Sequence, residues 1–316
     1  MPELVYLGID VGGSKLAVGV VDAAGRVVEK ITVATDLAGG TDRVVDQIAA
    51  VSRPFLASYS VADHAGMTLP GPVSPQEGVL LFAPYSGWRN VPFARLVRQA
   101  IGIEISIEND VNACAWAEYH FGATSGAETL FWMTVSTGIG GAVISNGKLL
   151  RGARQMSGEI GHLVVEENGA VCGCGNRGCL EAEAAGPAWS RKMAALMAEG
   201  HGTSLPSTSA QTSGPLEARQ IAEAARRGDP LSLAVVDDVA THLARGIAAA
   251  INLLDPQLFV IGGGVGMSLD LLLPAIRREL PRRCIGKNFL DTVVVPTALG
   301  YDAALIGAAS LVIHPM

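Results

Sequence analysis

Residues 4–22 read LVYLGIDVGGSKLAVGVVD, an apolar run closing on Ile9-Asp10, a Gly12-Gly13-Ser14-Lys15 turn and a second apolar run. Short apolar runs bounded by glycine are expected to be buried strands joined by a tight turn. A third run, RVVEKITV (26–33), follows the turn AAG, so the segment reads as a strand meander. The pattern returns near residue 130: TLFWMTV (129–135), the turn STGIGG (136–141), AVIS (142–145) and NGKLL (146–150). Asn146-Gly147 is a strong hairpin signal. Two apolar strands, each leading through a glycine turn into a second strand, predict an internal duplication and two similar α/β domains.

Between and beyond these strands the chain reads as helical at 41–60, 92–101, 110–121 and 185–200. HGTSLPSTSAQTSGP (201–215) is composed like a surface loop. Residues 216–254 form a long helical region broken at RGDP (227–230), LFVIGGGVG (258–266) is a strand entering a glycine turn, and ALIGAASLVI (304–313) is a closing apolar helix.

The 316 residues suffice for two domains with separate cores. A net charge of −7 argues against nucleic acid as the main partner, because phosphate binding needs clustered positive charge. No long uncharged apolar run predicts a membrane span. The N-terminal residues lack the basic region and cleavage site of a signal peptide, so a cytoplasmic protein is expected.

Backbone amides in glycine turns after buried strands can approach phosphate oxygens closely; each such turn taken singly is equally an ordinary hairpin. GIDVGGSK is not a P-loop, because Ser14 precedes Lys15. GGGVGMS lacks the spacing of a dinucleotide fingerprint. Asp10 beside a phosphate loop makes sense if Mg²⁺ lies between the charges. Nucleotide held between two duplicated α/β domains fits this pattern better than either alternative.

Taken together and in this order, GIDVGGSK, STGIGG, GEIGH (158–162), CGCGNRGCLE (172–181) and IGGGV resemble the ROK family of sugar kinases. GEIGH followed by the cysteine segment is the specific part of the likeness. The resemblance implies two ribonuclease-H-like (actin-like ATPase) domains with an active-site cleft between them. It also implies ATP-dependent phosphorylation of a hexose, a structural zinc and a homodimer. We expect residues 1–115 plus about 300–316 in the first domain and 116–299 in the second. By the family's pattern, Asp10, Gly12, Gly13, Ser14 and Lys15 form the first phosphate loop, with Asp10 toward magnesium. Thr137, Gly138 and Gly140 form the second, and Gly262, Gly263 and Gly264 lie by the adenosine.

His162, Cys172, Cys174 and Cys179 make a tetrahedral zinc set of one imidazole and three thiolates. Disulfides are rare in a reducing cytosol, and no Cys-x-x-Cys redox pair opens the segment. No ligand position looks open, so the site reads as structural. Cys114 and Cys284 stand alone, as buried small hydrophobes. The resemblance assigns Glu159, His162 and Glu181 to sugar hydroxyls, His162 facing both zinc and substrate; alone, Glu159 and Glu181 would read as solvated carboxylates.

ISIENDVNACAWAEYHFG (105–122) runs from an alternating strand into a helix, with Asn109 and Asp110 at the junction. On residue type alone, an Asx there is an N-cap. The likeness of NDVNA to the family's catalytic motif makes Asp110 the base that accepts the proton of the sugar's 6-hydroxyl, Asn109 the holder of an adjacent hydroxyl and Gly71 a backbone contact. The family often has Asn where FAPYSGWRN (82–90) has Tyr85; either Tyr85 adjusts the sugar pocket near C3, or it points away and a neighbour replaces the contact. Glucose is the leading substrate; a 3-amino sugar such as kanosamine, or N-acetylmannosamine, is the alternative. The family also holds sugar-responsive repressors with an added N-terminal DNA-binding domain. The first phosphate loop begins within ten residues of Met1 here, which argues against that role.

Overall fold

The computed structural model describes residues 4–84, 86–122, 127–206, 214–285 and 292–316. The chain divides into two compact units, residues 1–128, 142–157 and 297–316 in one and 129–141 with 158–296 in the other. The expected first boundary at 115 falls inside a helix that runs to Phe121. That helix packs against the C-terminal helix, so it stays whole in the first unit.

The first unit opens with β1 (Tyr6–Val11), β2 (Lys15–Val21) and β3 (Val27–Ala34), followed by α1 (Gly40–Ser58) and β4 (His64–Leu69). A small sheet of β5 (Val73–Ser74), β6 (Val79–Phe82) and β7 (Arg89–Val91) comes next. Then come α2 (Phe93–Ile101), β8 (Glu104–Asn109) and α3 (Asp110–Phe121). The main sheet has the order β3-β2-β1-β4-β8. Its first three strands are the antiparallel meander expected from residues 4–33, while β1, β4 and β8 run parallel. Parallel strands covered on both faces read as nearly continuous apolar runs. Leu7, Ile9, Met67 and Leu69 are accordingly fully buried.

The register sets one polar row across this apolar sheet: Asp10 pairs with Thr68, and Thr68 with Glu108. These three are each one residue before the C-terminal end of a parallel strand, the side of an open α/β sheet where ligands gather.

The second unit begins with β9 (Thr129–Val135), and the chain leaves it within β10 (Ile139–Ser145), which pairs with β11 (Lys148–Leu149) around Asn146-Gly147. Both turn residues take positive φ, 50° and 68°, the hairpin conformation that this dipeptide favours. The helices are α4 (Leu180–Ala184), α5 (Gly186–Ala198), α6 (Ala218–Arg226) and α7 (Pro230–Leu254). The break at RGDP falls between α6 and α7, where Asp229 caps α7 through Ser232 N. After β12 (Leu258–Gly262) come the single turn α8 (Gly263–Gly266), α9 (Leu269–Glu279) and β13 (Val293–Pro296). The order β11-β10-β9-β12-β13, with β9, β12 and β13 parallel, repeats the first sheet's plan. Two expected turns differ in detail. Gly140 and Gly141 belong to strand β10, leaving Ser136–Gly138 as the turn, and the glycines after β12 coil into α8. The closing helix α10 (Ala303–Ile313) returns to the first unit.

Candidate active site and metal centre

Asp110 is the first residue of α3, and Asn109 is its N-cap. The Asn109 Oδ1 accepts from Val111 N at 3.0 Å and Asn112 N at 3.1 Å. Asn109 is therefore the N-cap, Asp110 Oδ1 also accepts from Val111 N at 3.0 Å, and negative charge is favoured at this positive end of the helix. The Asn109 Nδ2 donates to Asp110 Oδ1 at 2.9 Å and to the Gly71 carbonyl at 3.2 Å. Every valence of the Asn109 amide is thus engaged within the chain, and a sugar hydroxyl would have to replace one of these bonds. Gly71 has φ 125°, and a Cβ there would lie 2.3 Å from the Phe82 carbonyl oxygen, so the position admits only glycine. Asp110, Asn109 and Gly71 form one bonded set, as the sequence reading grouped them. Tyr85 lies outside the described residues.

Asp10 is the last residue but one of β1, and its Oδ1 accepts from the Thr68 hydroxyl at 2.8 Å. Burial pushes its carboxyl up to about 6, against the lowering effect of the Thr68 bond. A carboxylate so held gains from a nearby cation. In the following turn Gly12 N donates to Lys15 O at 2.8 Å, and Gly13 and Ser14 are exposed. Lys15 begins β2 and is exposed.

In the second unit His162, Cys172, Cys174 and Cys179 bring their ligand atoms within 4.8 Å of one another. His162 Nδ1 stands 3.7 Å from Cys172 Sγ, and Cys174 Sγ stands 3.7 Å from Cys179 Sγ. Ligands of a tetrahedral zinc, about 2.3 Å from the metal, stand about 3.8 Å apart, so the set fits that ion. The backbone shapes the loop before any metal does, since Cys172 N donates to Asn176 O and Gly175 N to Cys172 O. Burial raises the Cys172 thiol and pushes Cys179 up to about 12, leaving both protonated unless a cation displaces the proton. Inert thiols of this kind are not nucleophiles. Cys114 and Cys284 are buried and unpaired by any disulfide, as expected of small hydrophobes.

The cysteine segment and the turn from β9 into β10 form a bonded set. Glu181 Oε2 accepts from Ile139 N at 3.0 Å, and its Oε1 lies 3.8 Å from Cys172 Sγ. A Cβ on Gly161 would lie 1.9 Å from the Ile139 carbonyl oxygen, so GEIGH rests directly on β10. Gly186 N donates to Ser136 O at 2.7 Å. Desolvation raises the Glu159 carboxyl, His162 opposing and Glu181 adding to the shift, which groups the three expected sugar contacts electrostatically. Thr137 is exposed at the tip of the turn. Gly262, Gly263 and Gly264 pass from β12 into α8.

Sequence reasoning missed the residues that hold these groups. Thr68 lies in a largely apolar strand, while Glu108 sits in the alternating strand β8, where a polar residue reads as solvent-facing. Glu183, five per cent exposed, accepts from Ala170 N at 2.6 Å and pairs with Lys192 at 3.4 Å, bracing the zinc segment from α4. Nothing in LEAEAAG marked Glu183 apart from Glu181.

Residues 6–314 match the ROK family model, and the chain belongs to the ROK family. It is 34% identical over 314 residues to the glucokinase of Thermotoga maritima, covering 99% of this chain and 98% of that one. The crystal structure of a ROK family glucokinase from Streptomyces griseus, in complex with glucose and AMPPNP, superposes with a TM-score of 0.84 at 35% identity, covering 97% and 98% of the two chains. A ROK family transcriptional regulator, a homologue of the Escherichia coli MLC protein, gives a TM-score of 0.86 at 25% identity, with 98% of this chain and 78% of the regulator covered. The fold is therefore shared by kinases and regulators, and the site must separate them.

Proposed function

We propose that this chain transfers the γ-phosphoryl group of ATP to the 6-hydroxyl of glucose. The observation that carries the reading is Asp110 in the first turn of α3 with its capping duty taken by Asn109, in a chain matching glucokinases over nearly its whole length. Asp110 accepts the hydroxyl proton as the new O–P bond forms and the bond to ADP breaks; positioning and charge neutralisation lower most of the barrier. Glu159, His162 and Glu181 hold sugar hydroxyls, with Gly71 and Asn109 beside Asp110. Kanosamine and N-acetylmannosamine are not favoured, because the full-length relatives at 34% identity are glucokinases.

Asp10 is the chain's magnesium-side carboxylate, and Mg²⁺ supplies charge neutralisation on the phosphates when bound. The amides of Gly13 and Ser14 with Lys15, and Thr137 with Gly138 and Gly140, approach the phosphates, while Gly262 to Gly264 border the adenosine. Zinc on His162, Cys172, Cys174 and Cys179 is structural, leaving Nε2 of His162 for substrate. The family likeness supports a homodimer and a cytoplasmic location. Among the described residues no helix is long and apolar enough to cross a membrane.

The test is glucose-dependent ADP release with Asp110→Asn. Turnover falls by a factor on the order of 10² or more while glucose binding changes little. Turnover near the parent rate would remove Asp110 from the role of base.

A further inference from the structure

Glu108 is the residue before Asn109 at the end of β8, and it is 1% exposed. Its Oε1 accepts from Asn109 N at 2.9 Å and from the Asn112 side chain at 3.1 Å. One carboxylate oxygen thus grips the chain on both sides of Asp110. The Oε2 receives Arg151 Nε at 2.9 Å and Arg151 Nη2 at 2.8 Å. Arg151 follows β11, is about three-quarters buried at its side chain, and also donates to Met316 Sδ at 2.9 Å. None of the family-derived assignments uses either residue.

The surroundings are rich in carboxylates. Asp10 on β1, Glu108 on β8 and Asp110 on α3 stand at this strand-end junction, and Glu118 lies about two turns further along α3. Asp110, Asp10 and Glu118 each help hold the buried Cys114 thiol up, after desolvation. Glu118 is engaged by the Thr297 hydroxyl and Ala298 N. Among the described residues, Arg151 is bonded to Glu108 through both Oε2 contacts. Breaking a buried ion pair on one side leaves an uncompensated charge, and a like charge nearby raises a carboxyl pKa.

We infer that Glu108 and Arg151 are positioning residues for the phosphoryl transfer. Glu108 fixes the angle of the Asn109–Asp110 junction, and Arg151 cancels its charge so that Asp110 stays ionised and able to take a proton. The inference rests on Asp110 being the base.

The experiment is the pH profile of kcat/KM for glucose in Arg151→Met, Glu108→Gln, the double variant and Asp110→Asn, measured with ATP and magnesium. In Arg151→Met the bare Glu108 charge moves the acid limb to higher pH by about half a unit or more, and kcat falls about tenfold with KM for ATP within about twofold. The double variant, neutral at both positions, brings the limb back to the parent value and recovers kcat to within several-fold. Glu108→Gln alone, with Arg151 left in place, moves the limb to lower pH, and this arm decides the matter if Arg151→Met does not fold. A merely structural tie lowers the melting temperature without moving the limb. An acid limb unmoved in both single variants, or a double variant as impaired as Arg151→Met, overturns the inference. Parent-like turnover in Asp110→Asn overturns the base assignment itself, and with it this inference. An inactive Asp110→Asn beside unmoved limbs removes only the roles of Glu108 and Arg151.

Discussion

The two sheets share a strand plan and differ in what stands at their strand ends. In the first, parallel pairing aligns Asp10, Thr68 and Glu108, and the next residues after Glu108 are Asn109 and Asp110. In the second, the corresponding pairing aligns Thr134 with Gly262, and β13 ends at Pro296. One sheet end is built of buried or half-buried carboxylates and an amide, the other of a hydroxyl and glycine. The second unit keeps its unusual chemistry off the sheet, in the His162–Cys179 loop. A common scaffold thus concentrates charge at the end of one sheet and leaves a hydroxyl and bare backbone at the end of the other. The charged end is costly to bury, since desolvation pushes Asp10 to about 6.

The comparison breaks most visibly at the loop. Cys174→Ser should lose the metal, reducing zinc by elemental analysis from about one per chain to nearly none. Hydrogen exchange should quicken across 158–183 while the amides of β1, β4 and β8 keep their protection. Equal loss of protection in both sheets would show that the loop does not stabilise the second unit selectively.

A smaller effect should sharpen the account of the polar row. Asp10 binds its proton more tightly folded than unfolded, so its contribution is favourable at low pH and is lost as pH rises from about 4 to about 6. Asp10→Asn cannot lose that proton. It should raise stability at neutral pH by about 1–2 kcal/mol and flatten the pH dependence across that window, while abolishing most turnover. Chemical denaturation at two pH values measures this; an equal or lower stability at neutral pH would mean that burial costs Asp10 nothing.

The smallest effect serves as a contrast on strand β8 itself. Glu104, at its exposed start, pairs with Arg98 at 3.0 Å, both side chains being at least half exposed. Arg98→Ala should change stability by less than about 0.5 kcal/mol and leave kinetics alone. A larger loss would mean that charge, and not burial, separates the two ends of the strand.

Much of this was legible in the residues. The meander at 4–33, the Asn146-Gly147 hairpin, the break at RGDP and the closing helix follow from apolar periodicity and turn chemistry, which act over a few neighbouring residues. The metal set was legible because four ligand-type side chains fall within eighteen positions of each other. The exact extent of turns was less so: Gly140 and Gly141 look like turn residues, yet pairing with a neighbouring strand draws them into β10.

What the sequence determined alone was therefore the strand and helix pattern, the duplication and the identity of the candidate chemical groups, because local spacing and residue type carry them. The tertiary structure decided their duties. Glu181 reaches the Ile139 amide 42 positions away, and Arg151 meets Glu108 across 43. Those pairings depend on strand register and on which backbones approach closely, and no local signal in the sequence records a partner that only folding brings within 3 Å.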